Sequence, residues 1–144
     1  MGRIIVGVDG SQNSRAALKW ALAAARPDDE VVAVNVWELP LAAGIEGAAL
    51  DVDSFENAAW STLDDVIGSL DGADTVKVVK EVHRGHTGRV LMELSADADL
   101  LVVGARGHGG FLALVLGSVS TYALHHSKCP VVVMPAPDPE TQHS

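Results

Sequence analysis

The chain is poor in the features that mark several large classes of protein. Among its 144 residues there is 1 cysteine, Cys129, so an internal disulfide is impossible. A reduced cytoplasm is the expected compartment. Basic residues are scarce, 10 Lys and Arg against 19 Asp and Glu, for a formal net charge of −9. Nucleic-acid binding draws its affinity from Lys and Arg on phosphates, so neither nucleic acid nor an anionic membrane surface is an expected partner. No apolar run approaches the roughly 18 residues that suggest a membrane span. Met1-Gly2-Arg3 leads straight into a strand pattern, so no secretory signal is expected. Gly2 is followed by Val6 and Gly7 where a myristoylation signal wants Ser or Thr. No Gly-Lys-Ser/Thr phosphate loop is present, and Lys128 lies far along the chain from the glycine-rich stretch.

What remains suits one globular domain with a real core, at 48% hydrophobic and 20% charged residues. Residues 1–136 read as that domain, and residues 137–144 as a polar tail without the means to bury a core. Arg3 to Val8 is a near-continuous apolar run, the pattern of a strand covered on both faces. After Asp9-Gly10-Ser11, the residues Leu18, Ala21, Leu22 and Ala25 fall at helical spacing. Ser11, Asn13 or Ser14 can cap that helix, and Pro27 ends it. Val31–Trp37 is a second buried strand, and residues 38–53 have no period and read as a loop.

Phe55 to Leu70 is helical, with Ala59, Leu63, Val66 and Leu70 on one face. Val76 to Val82 is a third strand, whose Lys and Glu residues suit a sheet edge. Thr87 can cap a helix carrying Val90, Leu91, Leu94 and Ala98. Leu100–Val103 is a fourth strand, Gly117–His126 a fourth helix, and Val131–Met134 a fifth strand. Strands alternating with helices imply βαβ units, hence an open parallel sheet with helices on both faces.

The stretch from Leu100 to Ser120 carries the chemistry. Its strand breaks at Gly104, Gly107, Gly109 and Gly110, passes the apolar run Phe111 to Leu116, and reaches Gly117-Ser118 at a helix start. Glycines at a strand exit leave backbone N–H groups uncovered, and a helix N-terminus adds oriented donors and partial positive charge. Such a pairing makes an anion site, most often for phosphate. In an open parallel sheet, ligands bind at the strands' carboxyl ends where strand order reverses. The loops at Asp9 and Gly104 suit that place if their strands are neighbours.

With both loops in view, the chain resembles the ATP-binding branch of the universal stress protein family over residues 3 to 135. The family pattern of Gly, two residues, Gly, nine residues, Gly, then Ser or Thr stands here as Gly104, Gly107, Gly117 and Ser118. The opening IIVGVDGS and the ending HHSKCPVVVMP match its first strand and its last helix and strand. The resemblance implies a Rossmann-like five-stranded sheet in the order 3-2-1-4-5. It also implies a homodimer paired through the last strand, Val131, Val132, Val133 and Met134.

Site residues follow from the same resemblance. Gly107, His108, Gly109 and Gly110 would cradle phosphates through their amides, and Gly117, Ser118, Val119 and Ser120 would hold phosphate at the helix start. Gly7 and Asp9 would approach the nucleoside, with Asp9 accepting from ribose hydroxyls or holding a metal-bound water. Val36 would meet adenine through its main chain. Arg106 could lend charge to phosphate. Each has a plainer reading: Ser118 as an ordinary N-cap, Asp9 as a turn residue, Val36 as core, Arg106 and His108 as solvated loop side chains. ATP is the expected ligand, with Mg²⁺ arriving on the nucleotide rather than in a site built from protein alone.

Three functions remain open on this basis. The first is an ATP-binding stress-response regulator, read by a regulatory protein partner. The second is a slow ATP-hydrolysing enzyme, for which no Ser–His–Asp arrangement or placed base is visible. The third is a dimeric interaction module without nucleotide.

Overall fold

The computed structural model describes residues 2–39, 51–105 and 118–135. Among the described residues, five strands, β1 (Arg3–Gly7), β2 (Glu30–Trp37), β3 (Lys77–Arg84), β4 (Leu100–Gly104) and β5 (Val131–Met134), alternate with four helices. The helices are α1 (Gln12–Ala24), α2 (Val52–Gly68), α3 (Thr87–Ser95) and α4 (Ser118–His126). All strand pairs are parallel and the sheet order is β3-β2-β1-β4-β5, as expected.

The central strands owe their place to uninterrupted apolar runs. Ile4, Ile5 and Val6 of β1 and Leu101, Val102 and Val103 of β4 are all buried, so both faces of the sheet are covered there. On one face, Ile4, Val6, Val31, Ala33 and Val102 pack against Leu18 and Leu22 of α1 and Leu63 and Val66 of α2. On the other, Ile5, Val32, Val34, Leu101 and Val103 meet Leu91 and Met92 of α3 and Ala123 of α4. Leu18 and Leu63 are fully buried, which contributes about 1.5–3 kcal/mol for each side chain. β3 has no buried residue, consistent with its edge position, and β5 forms the opposite edge with four half-buried residues.

Helix ends differ in detail from the sequence reading. α1 is capped by Ser11, and Ala25 is already extended, two residues ahead of Pro27. α2 begins at Val52 under an Asp51 cap, so the non-periodic loop ends a few residues earlier than expected. α3 is capped by His86 rather than Thr87: the imidazole Nδ1 accepts from the Arg89 N–H at 3.2 Å. Ala98 falls beyond α3, yet still packs on the second cluster. Among the described residues, no helix is long and apolar enough to cross a membrane. The polar tail at 137–144 lies outside the described residues.

The register sets the geometry of the candidate site. Ile4 pairs with Leu100, Ile5 with Leu101 and Val6 with Val102, so β1 and β4 end side by side. From there α1 leads to one face and α4 to the other, the arrangement in which open α/β sheets form a ligand crevice.

Candidate functional site

The first wall of the crevice is the bend after β1. Val8 is the last residue to use the sheet, its N–H donating to the Val34 carbonyl at 2.8 Å. Asp9 follows, exposed, with its Oδ1 accepting from the Ser11 N–H at 2.9 Å. Gly10 takes φ 87, a left-handed backbone that favours glycine. The Ser14 hydroxyl donates to the Ser11 carbonyl at 2.9 Å and accepts from the Asp9 N–H at 3.3 Å. The bend is therefore tied to the first turn of α1 from both ends, and the Asp9 carboxylate is held at the carboxyl edge.

The second wall is the exit of β4. A Cβ added at Gly104 would lie 2.6 Å from the Asn13 Cβ and 3.0 Å from its carbonyl carbon. The missing side chain of Gly104 thus admits the first turn of α1, the turn to which the bend after β1 is tied. Ala105 donates its N–H to the Met134 carbonyl at 2.7 Å. Its carbonyl accepts from the Ser120 hydroxyl at 2.9 Å. That bond fixes the start of α4 against the end of β4 and directs the helix's positive end toward the crevice. Ser118 is exposed at the helix start and Val119 is half-buried. Ser120 is buried, and its hydroxyl proton is committed to Ala105, so as a phosphate donor it offers only its main chain.

Gly7 has a comparable packing role. A Cβ there would meet Leu91 Cδ1 at 3.3 Å and Val103 Cγ1 at 3.6 Å, side-chain atoms rather than backbone. Val36 of β2 pairs with His83 of β3 and packs on the second cluster, half-buried. Arg106, Gly107, His108, Gly109, Gly110 and Gly117 lie outside the described residues. The structure thus brings together Gly7, Asp9, Gly104 and the start of α4, with Val36 one strand away.

Three contributors are not among the site residues expected from the sequence: Asn13, expected only as a possible helix cap, Asn35 and Ala105. Asn35 donates from Nδ2 to the Val8 carbonyl at 3.0 Å. The buried polar side chains among the described residues are Asn13, Ser14, Asn35, Ser95 and Ser120. All but Ser95 stand at this edge of the sheet, where main-chain groups leave the ladder and need partners. A lone Asn inside the apolar run VVAVNVW was the available signal.

Other polar side chains fall elsewhere. His83 lies on β3, its Nε2 2.8 Å from Glu81 Oε1. His125 and His126 sit in the last turn of α4 with ring centroids 6.4 Å apart. Among the described residues, no group of three metal-ligating side chains could hold an ion. The Lys128 N–H donates to the Ser95 hydroxyl at 3.2 Å, at the amino edge of the sheet and away from the bends.

A family model described as the universal stress protein family matches residues 1–135. The universal stress protein Rv2005c of Mycobacterium tuberculosis is 34% identical over 137 residues, covering 90% of this chain and 44% of its own length. The chain spans about half the length of the curated relatives it matches. Among solved structures, the hypothetical protein MJ0577 aligns with a TM-score of 0.82 at 20% identity, covering 95% of this chain and 97% of its own. A universal stress protein in complex with cAMP aligns at 0.66 and 23% identity, covering 92% and 95%. An Arabidopsis thaliana protein of the same family with AMP bound aligns at 0.65 and 18%, covering 98% and 95%. At these identities the structural matches speak to the fold.

Proposed function

The chain belongs to the universal stress protein family, and from that premise we propose that it binds an adenine nucleotide, with ATP as the first candidate. The nucleotide occupies the crevice between the bend after β1 and the bend after β4. One observation carries the reading: the Gly104–Asn13 contact and the Ser120–Ala105 hydrogen bond draw both bends and a helix N-terminus to one place. A helix start beside a glycine at a strand exit suits a phosphate. Relatives of the same fold with cAMP and with AMP support the adenine.

In this reading Gly107, His108, Gly109 and Gly110 cradle the phosphates, together with Gly117, Ser118 and the amides of Val119 and Ser120. Arg106 adds charge. Asp9 meets the ribose or a water on nucleotide-borne Mg²⁺, and the Val36 main chain reads adenine. The acidic chain binds phosphate through local amides and a helix end, so its net charge is no obstacle.

The protein then acts as a stress-response regulator in the cytoplasm. A homodimer paired through β5 carries the nucleotide state to a regulatory protein partner. Any ATP hydrolysis is slow, because nothing in the reading supplies a base for water. The first test is to denature purified protein and identify nucleotide released into the supernatant, with ATP added in parallel. Bound or saturably binding ATP supports the regulator, ADP accumulating with time supports an enzyme, and no binding in either experiment refutes the reading.

A further inference from the structure

We propose that Asn35 is a positioning residue for the Val8–Asp9 bend, and so for the nucleotide. The inference rests on the crevice being the nucleotide site, and it names the side chain that sets one of its walls.

Along β2, Val31 and Ala33 pack among the apolar residues under α1 and α2. By the period of two, Asn35 shares their face. It is 8% exposed. An amide in such a place is costly unless bonded. Its Nδ2 donates to the Val8 carbonyl at 3.0 Å. That carbonyl stands where the β1–β2 ladder stops, because the register ends with Gly7 opposite Val34. Asn35 therefore supplies with its side chain the donor that a continuing strand would supply with its main chain.

Val8 is 2% exposed, so water is a poor substitute at its carbonyl. Without the amide the carbonyl stays unsatisfied, unless the chain swings out to hydrate it. The residue that swings first is Asp9, the next in sequence. Asn35 thus sets the direction in which the chain leaves the sheet, and with it the place of the Asp9 carboxylate and the amides up to Ser11.

The test uses the full chain and two variants that remove the amide donor, the near-isosteric Asn35→Asp and the apolar Asn35→Ala. Main-chain amide spectra and hydrogen exchange report the bend without any ligand, and titration with ATP reports the site. The titration is run at a temperature where circular dichroism shows each protein fully folded, so that lost stability alone leaves the affinity unmoved. The expected result is faster exchange confined to the residues around Val8 to Ser14, with ATP bound about tenfold more weakly. Unchanged bend amides, or a moved bend with unchanged ATP affinity, overturns the proposal. If wild-type protein binds no ATP, the nucleotide reading fails by itself, and the exchange arm still decides whether Asn35 holds the bend. If neither variant folds, wild-type protein decides: the Asn35 side-chain NH₂ should exchange slowly and shift when ATP is added. Fast exchange, or no shift under saturating ATP, overturns the proposal.

Discussion

Gly104 and Asn13 touch so closely that a Cβ on the glycine would stand 2.6 Å from the Asn13 Cβ. The clash is with a helix backbone as well as a side chain, since the Asn13 carbonyl carbon is 3.0 Å from the same point. Gly104→Ala should therefore force α1 and β4 apart, at a cost of about 1–3 kcal/mol. In a domain of this size that is a fall of several degrees in Tm. Gly7→Ala meets only side-chain ends, at 3.3 and 3.6 Å, and should cost less than about 1.5 kcal/mol. Thermal unfolding of the two variants checks the difference. Equal losses, or a larger loss at Gly7, would contradict the account of Gly104.

The outer edge of β5 offers a separate prediction. Leu101 donates to the Pro130 carbonyl and Ala105 to the Met134 carbonyl. By alternation, the main chain of Val132 and Met134 faces β4, and that of Val131 and Val133 faces outward. Val133→Pro removes an outward N–H without breaking the ladder to β4. It should convert a β5-paired dimer to monomer while preserving the circular dichroism spectrum. Light scattering across a concentration series reads the mass, and a dimer that persists unchanged would show that pairing runs through another surface.

The amino edge of the sheet predicts the acid limb of stability. The Arg26 N–H, 2.8 Å from Asp29 Oδ2, holds the Asp29 carboxyl below its ordinary range, with the Gly2 N–H adding to this and partial burial opposing it. Asp51 is lowered in the same sense, first by the Ser54 hydroxyl and then by the Ser54 N–H. A carboxyl whose pKa is lower folded than unfolded adds stability that is present above the unfolded value and lost as pH falls through the folded one. Asp29→Asn should thus be less stable than wild type at pH 7, and the gap should close below about pH 4. Urea midpoints at several pH values test this, and a gap that widens on acidification would contradict it.

Much of the architecture could be read from the chain because each strand carries its own burial signature. The unbroken runs of β1, β2 and β4 marked the centre, and Lys77, Lys80 and Glu81 marked β3 as an edge. The start of α2 was misplaced because its first turn, Val52-Asp53-Ser54, has no buried residue to begin the helical period. The α3 cap was missed because an imidazole acceptor is not among the usual N-cap groups. The roles of Asn35 and Asn13 at the strand ends are illegible for a related reason. Their partners are main-chain groups and a glycine distant in sequence, and no local spacing encodes those. The glycine motif points to the proposed site, but the polar frame around Gly104 exists only once the strands are paired.

The most direct test of the account is an ATP titration, followed by calorimetry, of wild-type protein beside Gly117→Glu. The substitution puts a carboxylate and its bulk where the phosphates are proposed to lie, beside the start of α4. The account predicts saturable binding to wild type and none to the folded variant. Equal ATP affinity in a folded Gly117→Glu protein would contradict it.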